Sequence, residues 1–414
     1  MFIEYELEKA QEILLSSVRK LDISREMLEN SLLKVLAEDI NAPINVPDFR
    51  RSPLDGFALR AADTSGALLN MPLNFRVIDE VQAGDTRQID KLPLGCAVKI
   101  LTGAPLPLEA DVVIRKEDID FFNGEIKIIK ELEKNSNVVY AGSDIKEGEK
   151  IFSQGEIITP YHIGVLAALG LKKVSVYKTP KIGLISTGDE LKNPGEHLEY
   201  GQIYNSNMFS LQALINRSGG QAYNLGIVPD NKEIISNTLK DALRYYDLII
   251  TTGGASVGDY DLIERVLKEN NAEILFNRVE IKPGSPVICG LWEGKLVIGL
   301  SGNPAAALIS FELLVRPLLK KMIGIKDVKD KYLEVELLDG FSKKSPQRRF
   351  LRVRVLWADG KWIAYLTGKQ ESGILRSMVG CNALIDIPRG SGQIAPNTKV
   401  RALLLEEDHI CYHR

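Results

Sequence analysis

The chain has 414 residues, 45% of them apolar and 26% charged, and a net charge of −3 at pH 7. That length calls for about two to four domains, and the near balance of charge gives no basic footprint for nucleic acid and no polybasic patch for a membrane. Cys96, Cys289, Cys381 and Cys411 are scattered without a C-x-x-C pair, against a disulfide framework or a zinc site and for a reducing compartment.

In chain order, Glu4, Glu6, Glu8 and Lys9 interrupt the start, so no signal peptide is read there, and no apolar run is long enough to span a bilayer. A cytoplasmic protein is expected. Leu7, Ala10, Ile13, Leu14 and Val18 recur at helical spacing, which predicts an amphipathic helix over residues 4–20. A second helix is predicted over 24–37, with Ser24 as N-cap and Met27, Leu28, Leu32, Leu33, Val35 and Leu36 as its apolar residues. From 42 to 140 the chain turns to Pro, Gly and short β-type runs at 75–81, 96–101, 111–115 and 126–129, the pattern of an all-β module. Helix-like sequence resumes at 161–169.

From Lys181 strands and helices alternate. Strands are predicted at 181–186, 221–228, 248–250, 274–279 and 295–300, with helices at 205–218, 232–245, 261–269 and from Pro304. This is the βαβ pattern of a mostly parallel sheet. Beyond about residue 326 β-type runs return at 331–337, 350–355 and 400–405, reading as a small barrel or sandwich. The expected fold class is multidomain α+β. Its parts are a discontinuous helical or linker domain over 1–45 and 141–180, an inserted β-rich domain over 46–140, an α/β domain over 181–326 and a C-terminal β domain over 327–414.

Chemistry is expected at the carboxyl ends of the α/β strands, where open sheets bind ligands. Polar loops stand there in succession: Ser186-Thr-Gly-Asp-Glu-Leu191, Pro229-Asp230-Asn231, Gly253-Gly254 through Ser256 to Asp259 and Asp261, Ile281-Lys-Pro-Gly-Ser-Pro286, and Ser301-Gly-Asn-Pro304. Glycines after a strand let backbone N–H groups approach a ligand. Acids could hold Mg²⁺, while Lys282 and the open first turn of a helix capped by Asn303, with Pro304 at its first position and Gly302 before it, would receive phosphate or another oxyanion. Each acid alone is more often a cap or a solvated charge; recurrence after consecutive strands carries the argument. P-loop and G-x-G-x-x-G dinucleotide motifs are missing from the sequence. Asp55-Gly56 and the Thr102 loop read, by themselves, as turns.

Ser52-Pro-Leu-Asp-Gly-Phe-Ala58, Leu101-Thr-Gly-Ala-Pro-Leu-Pro107, Ser186-Thr-Gly-Asp-Glu-Leu191, Gly201-Gln-Ile-Tyr-Asn-Ser-Asn207, Thr252-Gly-Gly-Ala-Ser-Val-Gly258, Ile281-Lys-Pro-Gly284 and Gly302-Asn-Pro304 together resemble the signatures of the molybdopterin molybdenumtransferases, of MoeA and gephyrin E-domain type. The likeness runs the length of the chain. It implies an elongated homodimer whose α/β domain binds molybdopterin, with the inserted domain of one subunit facing the α/β site of the other. It implies a reaction in which adenylylated molybdopterin and molybdate give molybdenum cofactor and AMP, with Mg²⁺ or a similar divalent cation, and a molybdopterin adenylyltransferase as possible partner.

By the same resemblance, Asp55, Thr102, Glu190, Asp230 and Asp261 take catalytic roles, with Glu190, Asp230 and Asp261 at the metal. Gly253, Gly254, Ser256, Asp259, Lys282, Ser285, Gly302, Asn303 and Pro304 would receive pterin, phosphate and molybdate, and Arg352 and Ser372 would approach the oxyanion. Three positions depart from the family pattern: Ser285 stands where a lysine is usual, Ser301 where a proline is, and an arginine near Val139 is replaced. Two of these changes remove a cation, which weakens oxyanion binding. A non-catalytic molybdopterin-binding scaffold and a tungstate-preferring transferase therefore stand as alternatives.

Overall fold

The computed structural model describes residues 3–253, 259–328, 331–405 and 411–412, with 259–261 and 411–412 as backbone only. Its central sheet has the order Gln221–Val228, Lys181–Thr187, Leu248–Thr252, Lys295–Leu300, Ile288–Trp292, Glu273–Phe276. The first four strands are parallel. Ile288–Trp292 runs antiparallel to Lys295–Leu300, and Glu273–Phe276 antiparallel to Ile288–Trp292. The sheet is mostly parallel, as expected, but Ile288–Trp292 is an unforeseen strand. It returns through Glu293 and Gly294, both at positive φ (51° and 77°), the backbone of a two-residue hairpin turn. The strand predicted over 274–279 splits, and Arg278–Val279 instead pairs with Glu4–Tyr5.

Burial on both faces explains the apolar runs. Leu248, Ile250, Leu296 and Ile298 face one core with Met208, Leu211 and Ile215 of helix Ser206–Arg217. Ile249 and Val297 face another with Ile235, Leu239 and Leu243 of helix Lys232–Tyr245. Because Lys181–Thr187 lies between the second and third strands of the chain order, the chain moves to one side of it and then crosses to the other. That divergence opens a crevice at the strand ends.

The insert forms a six-stranded sheet in the order Val112–Arg115, Gly56–Leu59, Cys96–Ile100, Leu73–Val81, Glu125–Ile128, Phe121–Phe122. Gly56 is required there: a Cβ would stand 2.0 Å from the Ile114 carbonyl oxygen. In the C-terminal part, Arg348–Ala358, Lys361–Leu366, Tyr332–Leu337, Thr398–Leu404 and Ala383–Ile387 pair in a ring that closes back on Arg348–Ala358. The barrel-like expectation holds.

The N-terminal expectations hold less well. The first helix spans Leu7–Ser16, and Leu7, Ala10 and Leu14 pack in the core of the α/β sheet, against helix Arg316–Met322. The predicted helix over 24–37 does not form. Ile23–Met27 is a strand paired antiparallel with Lys173–Tyr177, a single 3₁₀ turn follows at Leu28–Asn30, and Leu33 sits at φ 62°. Apolar positions that fit a helical stripe are here taken by bridges to the strand and loop opposite, Val35 to Ile157 and Leu36 to Val176; pairing overrides periodicity. No helix of the described residues is long and apolar enough to cross a membrane.

Candidate functional site

Ser186, Thr187, Thr251, Thr252 and Ser301 are buried polar residues at the carboxyl ends of three adjacent strands. A side-chain network ties these ends together. Asn207 Nδ2 donates to Thr252 Oγ1 (2.9 Å) and to the Gly302 carbonyl (2.8 Å), and Thr252 Oγ1 donates to the Ser301 carbonyl (3.1 Å). Ser186 Oγ donates to Asn205 Oδ1 (3.1 Å), the N-cap oxygen of helix Ser206–Arg217. Asn207 Oδ1 is buried with no hydrogen-bond partner. Its amide cannot flip, since Gly302 O accepts only from the nitrogen.

The expected acids leave neighbouring strand ends. Thr187 pairs with Val228, so the loops carrying Glu190 and Asp230 start side by side. Glu190 curls over Gly188, where a Cβ would come within 2.5 Å of Oε2. The Asp230 N–H donates to Asp189 Oδ1 at 3.4 Å. Gly253 ends the described part of its strand; Gly254 and Ser256 lie outside the described residues, and Asp259 and Asp261 are described only as the first backbone turn of helix Asp259–Glu269. Among the described residues no three acidic, histidine or cysteine side chains gather as a metal site.

The helix beginning at Pro304 corrects one expectation. Asn303 is its N-cap by backbone geometry but makes no side-chain cap bond, and its own N–H donates to Ser301 Oγ (3.2 Å). The first N–H groups are not open to an oxyanion: Ala305 and Ala306 both donate to the Ser372 carbonyl, at 3.0 and 3.3 Å. Ser372 thus caps a helix with its backbone. Arg352 holds that loop. Its Nη2 donates to the carbonyls of Lys369 (3.0 Å) and Glu371 (3.2 Å), and Gln370 bonds its backbone. The Arg352 side chain is fully buried, its Nε and Nη1 have no partner, and burial lowers its pKa from the ordinary arginine value.

Lys282 lies on a short strand beside the one that carries Arg352. Strand Ile281–Lys282 pairs parallel with Arg348 and Arg349, and the Lys282 side chain is exposed without a hydrogen bond or ion pair among the described residues. Ser285 is half-buried and its carbonyl accepts from Val279 N–H (2.9 Å). Gly284, at φ 100°, packs on helix Pro304–Ser310, where a Cβ would stand 2.3 Å from Ser310 Oγ.

In the insert, Asp55 and Thr102 meet. Asp55 Oδ1 accepts from the Thr102 N–H (2.9 Å) and hydroxyl (2.8 Å), and Oδ2 accepts from Lys116 Nζ (3.0 Å). Led by the Thr102 N–H, then its hydroxyl and the Lys116 ammonium, these bonds bring the carboxyl down to about 2. Among the described residues, no hydrogen bond or ion pair joins 46–140 to the strand ends of the α/β sheet.

With this geometry in place, comparison with known proteins is decisive. Family models match the MoeA N-terminal region (domain I and II) over residues 5–170, the probable molybdopterin binding domain over 183–321 and the MoeA C-terminal region (domain IV) over 334–405. Proteins named molybdopterin molybdenumtransferase from Staphylococcus aureus (strain Mu50 / ATCC 700699) and Bacillus subtilis (strain 168) are each 36% identical over 386 residues. Those alignments cover 92% of this chain and 91% and 90% of the relatives. The chain belongs to the MoeA family. A solved molybdopterin biosynthesis moea protein from Pyrococcus horikosii has the same arrangement, with a TM-score of 0.86 at 35% identity, covering 97% of this chain and 99% of its own.

This MoeA chain is an enzyme of the kind its curated relatives are named for. Several of its site groups escaped sequence reasoning. Asn205 and Asn207 lie in the 201–207 segment with no role expected of them; their spacing at a helix start was the available signal. Lys116 had none, since it meets Asp55 across 61 residues.

Proposed function

We propose that this enzyme inserts molybdenum from molybdate into adenylylated molybdopterin and releases AMP, as a step of molybdenum cofactor biosynthesis. Arg352 carries the reading: a buried guanidinium with two unpartnered nitrogens, Nε and Nη1, beside the loop of Ser372. A cation held away from water, with its reorganisation already done, binds an oxyanion far better than an exposed one. Lys282, exposed and without a hydrogen bond or ion pair among the described residues, stands on the strand beside Arg349 and adds a second cation.

The pterin would lie along the strand ends, over Gly253, Gly254, Ser256, Asp259, Gly302, Asn303 and Pro304, with its phosphates clear of the first helical turn that Ser372 caps. Glu190, Asp230 and Asp261 offer the hard carboxylate oxygens that suit Mg²⁺, and the first two leave adjacent strands. A bound divalent ion supplies charge neutralisation at the phosphoanhydride. Asp55 and Thr102 would complete the site from a second copy, because within one chain the insert makes no bond to the strand ends among the described residues.

The test is AMP release from adenylylated molybdopterin by the purified protein with Mg²⁺ and molybdate. Release that depends on molybdate supports the assignment; none with any divalent ion overturns it. A parallel series with tungstate decides the oxyanion.

A further inference from the structure

Lys116 is the group of the Asp55 cluster that neither the resemblance nor the comparisons assign a role. It follows strand Val112–Arg115, which pairs with Gly56–Leu59 so that Gly56 stands opposite Arg115. That register brings Lys116 alongside Asp55, and the two are joined twice: Lys116 N–H donates to the Asp55 carbonyl (3.1 Å) and Nζ to Oδ2 (3.0 Å). An exposed ion pair is ordinarily worth about 0–1 kcal/mol, so stability is a poor reason for this one. Its backbone anchor sets it apart from a loose surface pair. Thr102 fixes Oδ1 from the other side, leaving a lone pair of Oδ2 as the carboxylate's open position.

We propose that Lys116 is a positioning residue, which holds the Asp55 carboxylate in place and aims the open lone pair of Oδ2 at the reacting partner. This rests on the function proposed above for the Asp55 loop. Lys116 is the charged group that acts on Asp55, and Glu117 in turn acts on Lys116. Both Asp55 and Lys116 shift in the direction each favours in the other: the carboxyl downward, the ammonium upward.

The experiment uses the full chain with Lys116→Met, Lys116→Arg and, as a control, Lys99→Met, which removes a comparable ion pair to Glu80 on a neighbouring strand. AMP release is followed against pH, and the Asp55 carboxyl is titrated by ¹³C NMR. Lys116→Met is expected to lower kcat about tenfold with little change in KM for molybdate, to raise the Asp55 titration toward the ordinary carboxylate range, and to move the acid limb of the rate profile the same way. Lys116→Arg restores most of the rate, and Lys99→Met changes nothing. An Asp55 titration that stays in place in Lys116→Met overturns the inference whether or not AMP is formed. So does an unchanged kcat in an active preparation. A wild-type chain that releases no AMP sinks the proposed function instead.

Discussion

Asp55 is partly exposed and has hydrogen bonds on both oxygens, whereas Arg352 is fully buried and leaves two of its nitrogens without a partner. The carboxylate lies far down its titration range because neighbours in sequence-distant loops donate to it. Burial drives the arginine the other way, toward losing its charge. A surface group satisfied by its own fold is ready before substrate arrives. A buried cation whose neighbouring acid, Glu371, is exposed and shared with Lys343 gains most from whatever anion reaches it. The contrast separates preorganisation from affinity, and substitutions at each place should report different quantities.

The largest effect is expected at the buried cation. Arg352→Met keeps the length and apolar body of the side chain while removing charge and donors. Removing the buried charge offsets part of the loss of its bonds to the Lys369 and Glu371 carbonyls, so the melting temperature should fall only modestly. AMP release should fall by about 100-fold, mostly through KM for molybdate, as expected for losing charge-assisted bonds. A large loss of melting temperature with an unchanged KM would show that Arg352 serves only to hold residues 369–371.

Ser285→Lys tests the same comparison by addition. A lysine restored beside Lys282 should lower KM for molybdate by about tenfold, with kcat little changed. Oxyanion titration of the rate checks it; no change in KM would show that Arg352 and Lys282 already saturate the electrostatic demand. Asn207→Ala should act on stability first. It strips Thr252 and the Gly302 carbonyl of their shared donor, at about 1–3 kcal/mol for the unsatisfied groups, read from the urea midpoint.

These contrasts also mark what the sequence could show. Strand Lys295–Leu300 and helix Lys232–Tyr245 were legible to the residue because a central strand of a parallel sheet is apolar on both faces and an amphipathic helix is not. Residues 24–37 misled because their apolar spacing satisfies a helix equally well, and only the partner strand Lys173–Tyr177 decides. The motif residues Asp55, Thr102, Glu190 and Asp230 stood out by resemblance. Their partners did not. The carbonyl of Ser372 closes the helix at Pro304 from a distant part of the chain, and no local pattern announces it. Lys116 is hidden for the same reason: a charged residue after a strand is ordinary until register puts Asp55 beside it.

The smallest effect is expected from Thr102→Val, which removes the hydroxyl bond to Asp55 but keeps the stronger backbone one. The sign is fixed by linkage. Asp55 has its folded pKa near 2, below the ordinary 3.8, so its contribution to stability is present above the ordinary value and is lost as pH falls through the folded one. Thr102→Val should raise the folded pKa part of the way back, leaving stability near neutrality almost unchanged because the group is exposed. The rate should fall only about two- to fivefold at neutral pH, where Asp55 remains ionised with Lys116 still in place. If the acid limb moves as far as in Lys116→Met, hydroxyl and ammonium carry equal weight in holding the carboxylate. If the limb does not move, the Thr102 N–H alone fixes Oδ1, and the hydroxyl is free to meet substrate.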